Sequence, residues 1–237
     1  MFKNIFKILA VFVIGAIGGI FADQILWPYF IERPLFYEYR LEQAPVYVTE
    51  RKEIIIQENT ALTEAVEKVG KAVIGVKAKT KRGEILEGSG LIISSDGLIV
   101  SLAELLPLGS DFSFFIDGKQ VPFQIIKRDP KQNLVLIKVE EQGLSTISFA
   151  DLEKIKLGER VFLVGKSRPQ NKNWMVNEGI IKTFNKNYIQ TNIFEKTVLN
   201  GSSLFNIKGE VLGLNIISSV GEVNTIPISK IKSFAGF

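Results

Sequence analysis

The sequence predicts an all-β domain made of two packed barrels, preceded by an apolar segment at the amino terminus. From residue 72 onward, short runs rich in Val, Ile and Phe follow one another and are separated by glycine-containing turn dipeptides. No long amphipathic helix and no spacing typical of parallel β-α-β units interrupts them. A region of about 165 residues with about a dozen strands fits two barrels better than one sandwich.

The predicted strands are short and end at recognisable turns. They are Ala72–Ala78, Ile85–Ser95, Leu98–Ser101, Phe112–Asp117, Gln120–Arg128, Leu134–Val139, Arg160–Gly165, Val176–Phe184, Tyr188–Ile193, Leu204–Ile207, Glu210–Ile217 and Glu222–Ile228. The hairpin dipeptides are Asp96-Gly97, Asp117-Gly118, Lys208-Gly209 and Val220-Gly221. Glycine favours such turns because it adopts positive φ without steric cost.

The amino-terminal segment is typical of a membrane span. Residues 8–22 carry no charge, the apolar character continues to Trp27, and Lys3 and Lys7 precede the run. A helix over 8–27 would be about 30 Å long, which matches the hydrocarbon core of a bilayer. The basic flank predicts a cytoplasmic amino terminus and an extracytoplasmic main domain. Because Ile20-Phe21-Ala22 is a poor cleavage site, an uncleaved signal anchor is favoured over a cleaved signal peptide.

Between the span and the β domain, residues 28–58 form a predicted linker arm rich in aromatic residues and proline. The arm is either a stalk at the membrane surface or a segment that packs on a neighbouring subunit, with Phe36, Tyr37 and Tyr39 important for assembly. A short helix is predicted from Asn59 or Thr60 to Gly70. The predicted domains are therefore 1–27, 28–58 and 59–237.

Composition excludes several kinds of chemistry. The 237 residues include no Cys and no His, so disulfides, thiol or imidazole catalysis and the usual zinc sites are excluded. We predict no metal and no cofactor, because no carboxylate spacing resembles a Ca²⁺ loop and Val164-Gly165-Lys166-Ser167 lacks the rest of a phosphate-binding loop. The net charge of +4 comes from dispersed basic residues, so nucleic-acid binding is not predicted.

Four segments in order carry a resemblance to a known family. They are Gly88-Ser89-Gly90-Leu91-Ile92-Ile93-Ser94-Ser95-Asp96-Gly97, Arg128-Asp129-Pro130-Lys131-Gln132-Asn133-Leu134-Val135-Leu136-Ile137-Lys138-Val139, Ile189-Gln190-Thr191-Asn192 and Leu204-Phe205-Asn206-Ile207-Lys208-Gly209-Glu210-Val211-Leu212-Gly213-Leu214-Asn215. From about Thr60 to Ile231 the chain closely resembles the trypsin-like serine proteases of the HtrA/Deg family. The resemblance implies a double β-barrel, an extracytoplasmic membrane-anchored location and, for much of the family, a trimer. We expect this chain to lack the PDZ domain that commonly follows.

The same resemblance assigns the family's catalytic positions, and this chain departs at each of them. The histidine position falls on Glu104, the aspartate position on Asn133 and the nucleophile position on Asn200. The glycine whose amide helps to form the oxyanion hole corresponds to Val198. A Ser-His-Asp triad needs a hydroxyl, an imidazole that activates it and an acid that orients the imidazole, and all three are missing.

These departures predict that the chain is not an enzyme but an inactive serine-protease homologue, a pseudoenzyme of protein quality control. Its expected partners are extended peptides, unfolded protein segments or an active protease homologue, within a homo- or hetero-trimer held at the membrane by residues 8–27.

The alternative is a serine-type endopeptidase of HtrA type with a non-standard nucleophile. Ser202 and Ser203 follow the nucleophile position and Lys196 precedes it, so a Ser/Lys pair is conceivable. A lysine base must be desolvated, however, and the loop is expected at the surface. The simpler interpretation is a tight turn at Asn200-Gly201 and a solvated carboxylate at Glu104.

Overall fold

The computed structural model describes residues 2–26 and 60–237. The predicted linker arm over 28–58, its role in assembly and the two domain boundaries that flank it lie outside the described residues, and they stay predictions.

The first described segment is an apolar helix. Helix α1 spans Phe2–Phe21 and continues as a π-helical turn over Ala22–Leu26. Its stretch Lys3–Gln24 has a mean hydropathy of 2.4, and none of it is buried. By length and composition, α1 is therefore able to cross a membrane.

The second described segment, residues 60–237, is compact, begins with helix α2 over 60–70 and contains thirteen strands. The first seven make one antiparallel sheet, rolled into a half-barrel, in the order β5-β4-β1-β2-β3-β7-β6. They are β1 Val73–Lys79, β2 Ile85–Ile92, β3 Leu98–Leu102, β4 Asp111–Ile116, β5 Lys119–Val121, β6 Phe123–Asp129 and β7 Leu134–Val139. The single strand predicted over Gln120–Arg128 is wrong in one respect. It is divided at Pro122, which has no N–H to donate to a neighbouring strand.

The other six strands close into a barrel in the order β10-β13-β12-β11-β8-β9. They are β8 Arg160–Gly165, β9 Met175–Phe184, β10 Ile189–Phe194, β11 Ser203–Asn206, β12 Val211–Ile217 and β13 Glu222–Pro227. The interior is filled by a cluster that includes Leu163, Ile181, Leu204 and Val223. Half-barrel and closed barrel together confirm the predicted double β-barrel.

The predicted hairpins are confirmed by their backbone angles. The glycines of all four dipeptides have positive φ, from +75° at Gly209 to +96° at Gly97. At Gly97 a side chain would also collide with the carbonyl oxygen of Val139, so this turn requires glycine for two reasons.

Helix α3, Ile228–Ala235, is a feature that the sequence pattern did not predict. Its buried face consists of Ile228, Ile231 and Phe234, and it ends at Gly236 with φ +87°. Lys127 of β6 donates from Nζ to the carbonyl oxygen of Phe234 at 2.9 Å and lies 4.7 Å from the centre of its ring. A cation placed on the last carbonyls of a helix stabilises it, so the half-barrel fixes this terminal helix.

One hydrophobic cluster extends from the half-barrel onto the facing side of the closed barrel. At this junction the rings of Phe162 and Phe205 stack with their centroids 5.5 Å apart, and both side chains are fully buried. The buried residues of this cluster include Ile92, Val100, Leu136, Ile137, Val164, Val211 and Leu214.

The junction core gives a first prediction. Phe205→Ala should lower the free energy of unfolding by about 3–5 kcal/mol, because it removes a fully buried ring and leaves a cavity. The measurement is urea unfolding of the full chain in detergent micelles, followed by near-ultraviolet circular dichroism. Leu108→Ala is the control, since Leu108 is 83% exposed and its truncation should cost less than about 0.5 kcal/mol. Equal losses in the two variants would contradict the assigned core.

Candidate active site

A cavity of about 380 Å³ opens where the start of β2 meets two short 3₁₀ turns. The turns are Ala103–Leu105, after β3, and Thr197–Leu199, before β11. The cavity is lined by Ile85, Leu86, Glu87, Glu104, Leu105, Thr197, Val198 and Asn200. Of the four positions that the family resemblance assigned, Glu104, Val198 and Asn200 line this one cavity. The fourth, Asn133, does not line it but contacts the backbone of Glu104.

The turn that carries Glu104 is held by two residues of the half-barrel. Asn133 accepts the Glu104 N–H on Oδ1 at 2.9 Å and the Ala103 N–H on its carbonyl oxygen at 3.1 Å. Arg128 donates from Nη1 to the carbonyl oxygens of Ala103 and Leu106. Asn133 has φ +55°, a left-handed conformation that asparagine tolerates better than most residues.

Arg128 is partly buried beneath this turn, and burial lowers the pKa of its guanidinium. Arginine keeps its charge in proteins even so. Its hydrogen bonds to the two carbonyl oxygens are therefore charge-assisted and fix the turn firmly.

The backbone of Glu104 is held by hydrogen bonds, whereas its carboxylate has no partner among the described residues. The residue is exposed and lines the cavity. Among residues 60–237, no side chain or backbone group forms a hydrogen bond or an ion pair with this carboxylate. Glu87, the other acidic residue of the lining, is instead ion-paired with Lys77 at 3.8 Å between Oε1 and Nζ. Glu104 therefore presents an unpaired carboxylate on a fixed turn.

Asn200 lies opposite, at the end of the second turn, and connects the two barrels. Its carbonyl oxygen accepts the Ser89 N–H of β2 at 2.9 Å, and its Oδ1 accepts the Ile217 N–H of β12 at 2.6 Å. Its Nδ2 group donates to no acceptor among the described residues, and Asn200 is part of the cavity lining. Gly201 follows with φ +76°, and a side chain there would collide with the carbonyl oxygen of Ser89.

Four successive backbone N–H groups of this loop, from Leu199 to Ser202, already have acceptors. Those of Leu199 and Asn200 donate to the carbonyl oxygens of Lys196 and Thr197, and that of Ser202 donates to Leu199, each at 2.9–3.0 Å. Gly201 donates to the carbonyl oxygen of Asn215 at 2.9 Å. A serine protease needs free N–H groups here to stabilise an oxyanion. No backbone N–H from Leu199 to Ser202 is free, whereas the N–H of Val198, at the position of the family's oxyanion glycine, has no acceptor among the described residues.

Ser202 and Ser203 are both fully buried, so the expectation that this loop lies at the surface is wrong for these residues. The reason is that β11 begins at Ser203 and lies between β8 and β12, so both serines lie where the chain enters the barrel wall. Ser202 Oγ accepts from Nδ2 of Asn215 at 3.0 Å, and Ser203 Oγ has no hydrogen-bond partner among the described residues. Neither serine lines the cavity, and their role as nucleophiles stays a prediction.

No other feature of the described residues competes as a catalytic centre. Within residues 2–26 and 60–237, no group of three or more acidic side chains is placed to hold a metal ion. A groove of about 670 Å³ beside α3 and another of about 590 Å³ near Trp174 lie among residues outside the catalytic positions.

A half-barrel and a closed antiparallel barrel with a cleft at their junction define the class of trypsin-like double β-barrel peptidases. The sequence model of the trypsin-like peptidase domain matches residues 88–214. The chain belongs to this family, in its HtrA/Deg branch. Relatives named "Probable periplasmic serine endoprotease DegP-like" include proteins of Halomonas elongata, 31% identical over 137 residues, and Rhizobium meliloti, 30% identical over 162 residues.

The matched regions cover 54% of this chain and 28% of the Halomonas elongata protein, and 62% of this chain and 32% of the Rhizobium meliloti protein. A relative from Chlamydia pneumoniae is 29% identical over 157 residues, which are 61% of this chain and 32% of that protein. The chain thus spans about three-tenths of the length of these relatives.

The comparisons overturn one expectation from the sequence. The expectation that the chain is not an enzyme is wrong, because its relatives are named serine endoproteases and the model of the peptidase domain matches it. The expectation considered only the Ser-His-Asp mechanism. Missing Ser, His and Asp side chains exclude the Ser-His-Asp mechanism but not peptide hydrolysis by other groups in the same cleft.

The clamp on the Glu104 turn gives a second prediction. Asn133→Ala removes the acceptor of the Glu104 N–H and leaves alanine at positive φ. It should therefore cost about 1–3 kcal/mol of stability and speed amide exchange at Glu104. Hydrogen–deuterium exchange of the full chain in micelles measures this. Asn133→Asp keeps an acceptor oxygen and should retain the protection, whereas unchanged exchange in Asn133→Ala would refute the clamp.

Proposed function

We propose that the chain is a membrane-anchored endopeptidase of HtrA type that binds extended polypeptide segments in the cleft between its barrels. The observation that carries this proposal is the cavity itself, which lies at the barrel junction and is lined by Glu104, Val198 and Asn200. The names of the relatives support hydrolysis as the reaction.

The start of β2 offers an extended substrate a place to bind. Residues Ile85 to Gly88 pair with β1, whereas pairing between β2 and β3 is confined to Gly90, Leu91 and Ile92. Among the described strands, none pairs with the other edge of β2 beside the cavity. An extended peptide can add to such an edge through main-chain hydrogen bonds, with alternate side chains in pockets.

The lining suits a polypeptide with apolar side chains. Leu86, Leu105 and Val198 provide the apolar surface, while Glu104 and Asn200 provide one acceptor and one donor. A peptide unit carries the complementary N–H and C=O groups. The cleft therefore has the means to bind unfolded segments with little dependence on their sequence.

We propose that α1 anchors this activity at the membrane, with the amino terminus in the cytoplasm. Support comes from the apolar stretch Lys3–Gln24 and from Lys3 and Lys7 at its amino-terminal end.

A third prediction tests the orientation, and the absence of cysteine makes the experiment simple. A cysteine introduced by Ser145→Cys in the exposed linker between the barrels should react with a membrane-impermeant maleimide in intact spheroplasts. Lys3→Cys is the matched control and should react only after the membrane is permeabilised. The reverse pattern of labelling would refute the proposed orientation.

A fourth prediction tests the cleft with fluorescein-labelled casein and the full chain in micelles. Ile85 lines the cavity and is 54% exposed, so Ile85→Arg should raise KM about tenfold by removing apolar contact with the substrate. Ile126→Arg is the control, because Ile126 is similarly exposed at 52% but lies on β6, away from the cavity. Absence of cleavage by the unaltered chain would contradict the proposed function.

A further inference from the structure

We infer that Glu104 is the general base of this cleft and that it activates a water molecule, with Asn200 donating to the developing oxyanion. The inference rests on the proposed endopeptidase function and names the groups that would carry it out. It makes the chain a peptidase that attacks with water and forms no acyl-enzyme.

Among the described residues, the geometry of the Asn200 loop leaves one N–H of the usual oxyanion site without an acceptor, that of Val198. The backbone N–H groups from Leu199 to Ser202 are all donated within the fold. Thr197 and Val198 line this side of the cavity too, and the side-chain amide donor there is Nδ2 of Asn200, whose Oδ1 accepts the Ile217 N–H at 2.6 Å. That hydrogen bond fixes the amide plane, so the donor is preorganised.

The same geometry disfavours a serine nucleophile. Ser202 and Ser203 are fully buried, and neither belongs to the lining of the cavity. A hydroxyl that attacks a peptide must reach the carbonyl carbon at about 3 Å. Water can reach this carbon in the open cleft, whereas the two hydroxyls are buried outside the cavity lining.

Glu104 is the acidic residue of the lining that has the properties of a base. Its carboxylate is exposed and unpaired among residues 60–237, whereas Glu87 is ion-paired with Lys77. Its backbone is fixed by hydrogen bonds to Asn133 and from Arg128 to the adjoining carbonyl oxygens. Arg128 and Asn133 are thus positioning residues for the Glu104 carboxylate.

The proposed step balances without a co-reactant. The oxygen of water forms a bond to the carbonyl carbon of the peptide while the Glu104 carboxylate takes one proton from that water. The negative charge that develops on the carbonyl oxygen receives a hydrogen bond from Nδ2 of Asn200. The C–N bond then breaks, and Glu104 passes its proton to the leaving amine. The products are a carboxylic acid and an amine, and Glu104 is returned as a carboxylate.

The test uses the full chain in detergent micelles and fluorescein-labelled casein. Glu104→Gln should lower kcat about 10²- to 10⁴-fold with KM changed less than about threefold, because it removes only the base. Asn200→Asp keeps the oxygen that binds Ile217 and removes the donor, so kcat should fall about 10²-fold. Ser202→Ala, Ser203→Ala and the matched control Glu140→Gln, at an exposed glutamate outside the cleft, should retain kcat within about threefold.

Two outcomes separate this inference from the proposed function. Cleavage that survives Glu104→Gln, or that disappears in Ser203→Ala with labelling by a fluorophosphonate, would overturn Glu104 as the base and leave the endopeptidase function intact. Absence of cleavage by the unaltered chain would remove both. Loss in Glu104→Gln and Asn200→Asp, without fluorophosphonate labelling and with unchanged thermal unfolding, is the expected result.

Discussion

The two hydrogen bonds that Asn200 accepts determine the shape of the cleft. One joins its carbonyl oxygen to the Ser89 N–H of the half-barrel, and the other joins its Oδ1 to the Ile217 N–H of the closed barrel. These two hydrogen bonds hold β2 and β12 against the loop that contains Asn200. Gly201 makes this close approach possible, since a side chain there would collide with the carbonyl oxygen of Ser89. The residue at the family's nucleophile position therefore connects the two barrels through both its backbone and its side chain.

This arrangement differs from the one that serine chemistry requires at the nucleophile position. A nucleophilic serine must be free to turn toward the substrate, and the adjoining N–H groups must point to the oxyanion. In this chain the side chain at position 200 accepts a hydrogen bond from Ile217, and the N–H groups of Leu199 and Asn200 close a 3₁₀ turn. The residue that joins the two barrels therefore also lines the cleft.

The sequence predicted the barrels well because their signals are local. Strand periodicity and the glycines of the hairpins depend on neighbouring residues, and the structure follows them closely. Helix α3 was missed because it has eight residues and its buried face is defined by packing against the core and by Lys127 of a distant strand. Pro122 was overlooked within an otherwise regular strand pattern.

The candidate site was harder to predict, because its hydrogen bonds join residues that are far apart in the chain. Glu104 and Asn133 are separated by 29 residues, and Asn200 and Ile217 by 17. Spacing aligned with a known family could identify the positions, but it could not show which atoms are already used within the fold. The alignment also led to the expectation of an inactive chain because the triad is missing. A carboxylate and an amide in one cleft can support hydrolysis by a different route.

The changes at positions 104 and 133 are chemically consistent with each other. An imidazole base has two different nitrogens, so a triad needs an acid that selects the tautomer and stabilises the imidazolium. A carboxylate base has two equivalent oxygens and needs only a fixed backbone, which Asn133 supplies by accepting the Glu104 N–H. An aspartate at 133 would supply the same acceptor but add a second negative charge beside Glu104, and like charges disfavour the ionised form that a base requires. A neutral amide at 133 therefore suits a glutamate at 104, just as an aspartate suits a histidine.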